Sequence, residues 1–268
     1  MSTAPDEASS PDRPAAGIRT MNSVLSTLRV FEEVAVRQPV GVSDLARATR
    51  IPKSSVQRCL VTLQQAGWLR VVDAEPVRWG VTMKVLALGL QGAGEQDLRV
   101  VAAPVVARLA AHTGETVFLG LRDGDEYIIV GREESRHMVR VHLDLGARLP
   151  LRATSGGVAM MARLDRAEVD ELLAEELTEF ADAPVQTNEE LRQELTATAT
   201  RGYAVNMSAW YRPHVASFGA AIVDRVGRPV GAVALSIPEM RYDSARQEEL
   251  GRLTVAAADE ISALISSA

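Results

Sequence analysis

Apolar positions along this chain change spacing twice, and each change marks a boundary. After Asn22, a good capping type, Leu25, Leu28, Phe31, Val34 and Ala35 recur every three or four residues and predict a helix with that stripe inward. A short second helix is predicted to start at Ser43, as its cap, and to run through Leu45 and Ala46 to about Thr49. Arg50-Ile51 forms the turn, and Pro52 suits the first position of a third helix because its missing N–H is not needed there. Val56, Cys59, Leu60 and Leu63 give that helix one apolar stripe, and Gly67 ends it. The segments 68–72 and 77–81 then alternate around Asp73-Ala74-Glu75-Pro76, the pattern of a hairpin. Helical spacing returns over 82–92, interrupted at Gly92 and Gly94, and again from Leu98 to about His112, with Val101, Val105, Leu109 and Ala110 inward.

From Glu115 the period shortens. The runs 116–122 and 127–132, joined at Gly124, predict a hairpin, and Met138 to Leu143 predicts a third strand. A helix is expected near Ser155, and acidic helices fill 166–201. Val215–Val223 and Val230–Ile237, around a turn at Gly227 and with Pro229 opening the second strand, form another hairpin, and 244–266 reads as helix. Strands, helices and strands in that order predict an α+β chain with an antiparallel sheet. The expected organisation is a tail over 1–20, a winged helix-turn-helix domain over 21–82, a linker helix over 83–97 and a second domain over 98–268.

Two short helices, a tight turn and a hairpin in this order are a module for placing a helix in a DNA major groove. With the apolar stripe inward, Lys53, Ser54, Ser55, Gln57 and Arg58 are left near the outer face of the third helix. Gln57 and Arg58 carry planar groups that can bind a base edge bidentately; Lys53, Ser54 and Ser55 suit phosphates, and Ser43 opens the preceding helix. Arg70 and Arg78 sit on the hairpin, while Asp73 and Glu75 at its tip repel phosphate. A solvated polar face is the bland alternative for any helix; the turn, the proline start and the stripe in sequence argue against it.

Net charge is −6, which at first speaks against nucleic acid. Its distribution reverses that reading: residues 18–81 hold nine basic and five acidic side chains, and the acid excess lies in the tail and beyond residue 82. The tail is rich in Ser, Pro, Ala and acid, without the basic start and apolar centre of a signal peptide, and reads as disordered. No run approaches the roughly 18 apolar residues of a membrane helix. With one cysteine, Cys59, on an apolar stripe, neither an internal disulfide nor a cysteine metal site can form, and a cytoplasmic location is expected.

The stretch SDLARATRIPKSSVQRCLVTLQQAGWLRV resembles the helix-turn-helix of the isocitrate lyase regulator (IclR) family of bacterial transcription factors. PLRATSGGVAMMA, beginning at Pro150, and RGYAVN, beginning at Arg201, match further family patterns in the expected order. The resemblance implies a GAF-like sensor domain, dimers formed through the winged helix and linker, assembly as a homodimer or tetramer, a palindromic DNA operator and a small organic acid as effector, aromatic ones among them. It associates Gly156, Asn206, Ser217 and Ser236 with the effector; here Asn206 stands for a common Asp, Ser217 for a common Cys and Ile237 for a common Gly. The residues themselves add Thr154, Ser155 and Gly157, which open a helix, Trp210 and Tyr211 just after Asn206, and Phe118 on a neighbouring strand. Gly156 and Gly157 also fit a plain helix start, and Trp210 plain packing.

The expected function is an effector-responsive regulator, a repressor of a catabolic operon, with no cofactor and no membrane partner. A DNA-binding oligomer without effector is the first alternative. An enzyme fused to a DNA-binding domain is the weaker one: there is no HExxH, GxSxG, P-loop or GxGxxG, and His137 and His142, five apart on the predicted strand, face opposite sides.

Overall fold

The stripes of the N-terminal half fold into three helices and a hairpin around one small core. In the computed structural model, which describes residues 20–93, 97–174, 176–177, 179–180, 183–207 and 213–267, α1 spans Asn22–Arg37, α2 Val42–Thr49 and α3 Lys53–Gln65. β1, Leu69–Ala74, pairs antiparallel with β2, Val77–Val81; β2 has its expected bounds, while β1 runs two residues closer to the tip than expected, so that only Glu75-Pro76 remains as the turn. The tail predicted over 1–20 lies outside the described residues except for Thr20.

Val56, Cys59, Leu60 and Leu63 are all buried, as their spacing requires, against Val30, Val34, Leu45, Leu69 and Trp79. The stripe predicted for α1 needs correction. Val34 is inward, but Leu25 and Leu28 are about half exposed, at 54% and 49%, and Ala35 is exposed. Thr27 holds the inward position instead, its hydroxyl 3.4 Å from the Cys59 sulfur. The predicted caps also differ. α1 and α2 begin after Met21 and Gly41, without side-chain capping bonds, so Asn22 and Ser43 lie inside the first turns. Pro52 precedes α3 as its N-cap, with φ −55° and ψ 140°. The hairpin is tied to the helices by Val40 and Trp79, whose backbones exchange hydrogen bonds of 3.1 and 2.9 Å.

α4, Lys84–Ala93, groups with this first unit, which ends at residue 93. Gly92 lies within it rather than breaking it; Gly94 lies outside the described residues. Its start is clasped to the end of α3: the Lys84 ammonium donates to Ala66 O at 2.9 Å and lies 4.8 Å from the centre of the Trp68 ring, and the Thr82 hydroxyl donates to Gly67 O at 2.7 Å.

The second unit, residues 94–268, begins with α5, Leu98–Thr113, followed by β3, Thr116–Asp123, β4, Glu126–Glu133, and β5, Arg148–Pro150. Then come α6, Ser155–Met161, α7, Arg166–Leu172, the two-residue strands β6, Glu179–Phe180, and β7, Ala183–Pro184, and α8, Asn188–Arg201. β8, Ala204–Asn206, β9, Val215–Val223, β10, Pro229–Pro238, and α9, Gln247–Ser267, complete it. One six-stranded antiparallel sheet runs β5-β4-β3-β10-β9-β8. Strand alternation sends Val117, Leu119, Phe218 and Leu235 to the face covered by α5 and α9, and Phe118, Ile129 and Ala234 to the face covered by α6 and α8.

The predicted strand 138–143 does not form. The outer edge of β4 is taken by residues 146–150: Gly146 N–H donates to Ile129 O at 2.7 Å, Ile129 N–H to Ala147 O at 3.0 Å, and Ile128 pairs with Arg148. Residues 138–143 instead form an irregular loop, so His137 and His142 share no strand. Arg241 pins this loop, donating to Val139 O at 2.7 Å and bidentately, also at 2.7 Å, to the buried carboxylate of Glu115.

Candidate functional site

In the first unit the stripe of α3 fixes what its other side presents. At 100° per residue, Ser54, Arg58, Val61 and Gln65 lie opposite the stripe, with Gln57 on one flank and Ser55 on the other. Lys53, Ser54, Gln57 and Arg58 are exposed; Ser55 is half-buried, and with Arg50 and Arg58 it lines a cleft against the start of α1. Among the described residues, Arg50, Lys53, Arg58 and Arg70 form no hydrogen bond or ion pair within the protein, so their charges are available to an outside anion. Arg47 and Arg37 differ, being paired with Asp44 and Glu33. Arg78 is also engaged, donating to Pro39 O at 3.2 Å, which fixes the hairpin to the α1–α2 connection. Ser43 lies in the first turn of α2, half-buried. Sequence reasoning missed Val61, 38% exposed, and Arg50, whose left-handed backbone (φ 57°) ends α2. Once the stripe was assigned, the helical period already placed Val61 outward.

In the second unit a cavity lies on the α6 face of the sheet. Cross-strand register lines up Thr116, Ser236, Ser217 and Asn206 in one row over β3, β10, β9 and β8. Ser236, Ser217 and Asn206 line the cavity together with Thr154 and Ser155 at the start of α6. The next row of the same face contributes Phe118 and Ala234; Ile129, Leu149 and the loop residues Val141 and Leu143 close the apolar side. The Asn206 amide donates to Ala153 O at 3.0 Å, which leaves its oxygen as acceptor, and among the described residues the hydroxyls of Ser155, Ser217 and Ser236 have no hydrogen-bond partner. Thr154 is already committed, as the cap accepting from Gly157 N–H at 3.0 Å. No charged side chain is among the described lining residues.

Five of the predicted effector residues other than the glycines therefore meet at one cavity with Phe118: Thr154, Ser155, Asn206, Ser217 and Ser236. Gly156 and Gly157 do not reach its wall. A Cβ on Gly156 would lie 2.4 Å from the Tyr127 hydroxyl, and one on Gly157 would lie 1.9 Å from Leu151 O, so both are glycine because other groups of the protein pass close by. Tyr127 itself lies fully buried beneath α6, donating to Ala232 O at 3.1 Å, and burial pushes its phenol far above the usual value. Trp210 and Tyr211 lie outside the described residues. The apolar walls Ile129, Leu149, Val141 and Leu143 were missed; period-two counting from Ser217 and Ser236 reaches only Val215 and Ala234 on the same face. Among the described residues no cluster of His, Cys, Asp and Glu could hold a metal ion, and no helix is long and apolar enough to cross a membrane.

A turn-linked helix pair with a hairpin, followed by a sheet unit holding this cavity, is matched by two family models: the IclR helix-turn-helix domain over residues 25–73 and the bacterial transcriptional regulator IclR C-terminal domain over residues 91–263. The chain belongs to the IclR family. It is 27% identical over 252 residues to the transcriptional repressor IclR of Escherichia coli K12, covering 92% of this chain and 90% of that protein. It is 30% identical over 226 residues to the repressor AllR of the same organism, covering 83% of this chain and 82% of that one. In fold it matches an IclR homologue from Microbacterium hydrocarbonoxydans crystallised with 4-hydroxybenzoate, with a TM-score of 0.78 at 21% identity over 92% of this chain and 100% of that one. Membership in the IclR family makes this chain a DNA-binding transcriptional regulator with an α+β architecture.

Proposed function

We propose that this regulator is an effector-controlled repressor that binds a palindromic operator as a dimer or a dimer of dimers. The single observation that carries the DNA part is the set of polar groups on and beside α3, Arg50, Lys53, Gln57 and Arg58, which have no partner among the described residues and are held outward by a buried stripe. Gln57 and Arg58 read base edges; Lys53, Ser54, Ser55 and Arg70 hold the backbone. Arg78, already bonded to Pro39 O, serves the geometry of the wing first. Two-fold symmetry then demands half-sites about 34–36 Å apart or a multiple of that. Support for repression comes from the relatives, which are named repressors.

The effector is a small molecule with an apolar body and hydroxyl- or carbonyl-type polar groups, fitted to Ser155, Ser217, Ser236 and the Asn206 oxygen. The solved homologue's 4-hydroxybenzoate makes an aromatic acid the first compound to try. The cavity holds about 50 Å³. That is room for about three or four waters, whereas a benzene-sized occupant needs about 150 Å³. A ring needs a wall to move, and the loop wall of Val141 and Leu143 has no sheet pairing among the described residues, being held by side chains, Arg241 at Val139 O and Arg132 at Leu143 O. Such movement gives the ligand the unequal affinity for two conformations that regulation requires.

Calorimetric titration of the purified protein with a panel of small aliphatic and aromatic acids, 4-hydroxybenzoate included, tests the sensor. Binding that the Ser236→Ala variant weakens by about two- to tenfold, the size of one lost hydrogen bond, supports this pocket. Binding unchanged by that variant places the effector elsewhere. No binding across the panel favours the DNA-binding oligomer without effector.

A further inference from the structure

Val61 is the one large apolar side chain that α3 exposes among the described residues, at 38%. It does not extend the core stripe, whose members point about 150° away from it. Its neighbours on the outer face are Gln57 and Arg58, one turn earlier, and Gln65, one turn later. A β-branched residue costs helix propensity, and at 38% exposure Val61 still leaves apolar surface uncovered on the outer face. In a major groove the same side chain has a specific counterpart, because the thymine C5-methyl is the one apolar group on a base edge.

Resting on the DNA-binding reading above, we infer that Val61 reads a thymine methyl in each half-site. One turn of α3 advances about 5.4 Å, so this thymine lies one or two base steps from the pair read by Gln57 and Arg58. The contact explains an apolar residue between planar polar ones: the amide and guanidinium read hydrogen-bonding edges, and Val61 adds discrimination of thymine from cytosine, which lacks the methyl.

The test starts from duplexes that the full-length protein selects from a randomised pool. Each thymine of the selected half-site is replaced in turn by deoxyuridine, which pairs identically and lacks only the methyl. At one thymine, removal of the methyl is expected to weaken binding about fourfold, the size of one buried methyl. In Val61→Ala, affinity for the thymine duplex falls by a similar factor and the deoxyuridine penalty at that position disappears. Circular dichroism and melting of Val61→Ala should match the parent, since the side chain is outside the core. The inference fails if no thymine is sensitive to its methyl, or if a sensitive position stays equally sensitive in Val61→Ala. A pool that enriches no sequence at all overturns the DNA-binding reading itself, and this contact with it.

Discussion

Arg58 shows how one residue's role follows from what its neighbours leave it. Val56, Cys59 and Leu60 are committed to the core, no acid among the described residues pairs with the guanidinium, and the side chain is exposed. Arg58→Ala is expected to cost about 1–3 kcal/mol on the preferred duplex and to relax sequence preference at one position, measured by fluorescence anisotropy on matched and mismatched duplexes. Uniform weakening on every duplex would reassign it to a phosphate. Gly156 makes the opposite case. A methyl there would meet the Tyr127 hydroxyl, so Gly156→Val should destabilise the second unit by about 1–3 kcal/mol through overpacking, read as a lowered calorimetric transition. Any loss of effector response in that variant would come with this lowered transition, whereas Ser236→Ala is expected to leave the transition in place.

At the scale of elements, the end of α3 and the start of α4 are one mechanical piece. Lys84 caps the open carbonyl of Ala66 and lies over Trp68, which in turn meets Phe31 of α1 edge-on at 5.4 Å. Removing an exposed cation–π contact and one hydrogen bond in Lys84→Ala should lower the stability of the first unit by about 1 kcal/mol, seen as a fall of about 4–8 °C in its thermal transition. The wing makes a separate prediction. Its tip carries Glu75, with Asp73 on the adjoining strand, both exposed. If the tip approaches the backbone, Glu75→Lys should tighten binding to any duplex and steepen the dependence of log affinity on log salt by about one unit. An unchanged slope would show that the tip stands clear of DNA.

For the whole molecule, the charge layout matters more than the total. Nine basic against five acidic residues over 18–81 is a small excess, and the rest of the chain is acidic. In the proposed dimeric reading, one such head would bind weakly and specific binding would draw on two heads held at one spacing. Operator affinity is therefore expected to fall off with dilution as the oligomer dissociates, and moving the half-sites by half a helical turn should abolish it; sedimentation and gel shifts at matched concentrations measure both. An effector at a hundred times its Kd should raise the stability of the second unit by about 2.7 kcal/mol while leaving that of the first unchanged.

The sequence by itself determined the elements whose apolar residues keep one period. α3 was legible because burial on a single face fixes its helical period, and the wing and the hairpin β9–β10 because turn residues separate paired β-rich runs. The sequence placed Ser217 and Ser236 on the two strands of that hairpin; the register of the folded sheet makes them cross-strand neighbours. Periodicity failed where two faces of one element are apolar, as in α1, because spacing alone does not say which face finds a partner. It failed again at 138–143, where alternation predicted a strand but residues 146–150 occupy the only free edge of β4. The pocket was decided by tertiary structure. Asn206, Ser217 and Ser236 become a polar row, and the glycines of α6 turn inward to Tyr127 and Leu151 rather than to a ligand, through contacts between segments tens of residues apart. Local spacing carries no information about such contacts, because they arise only when the helix lands on the sheet.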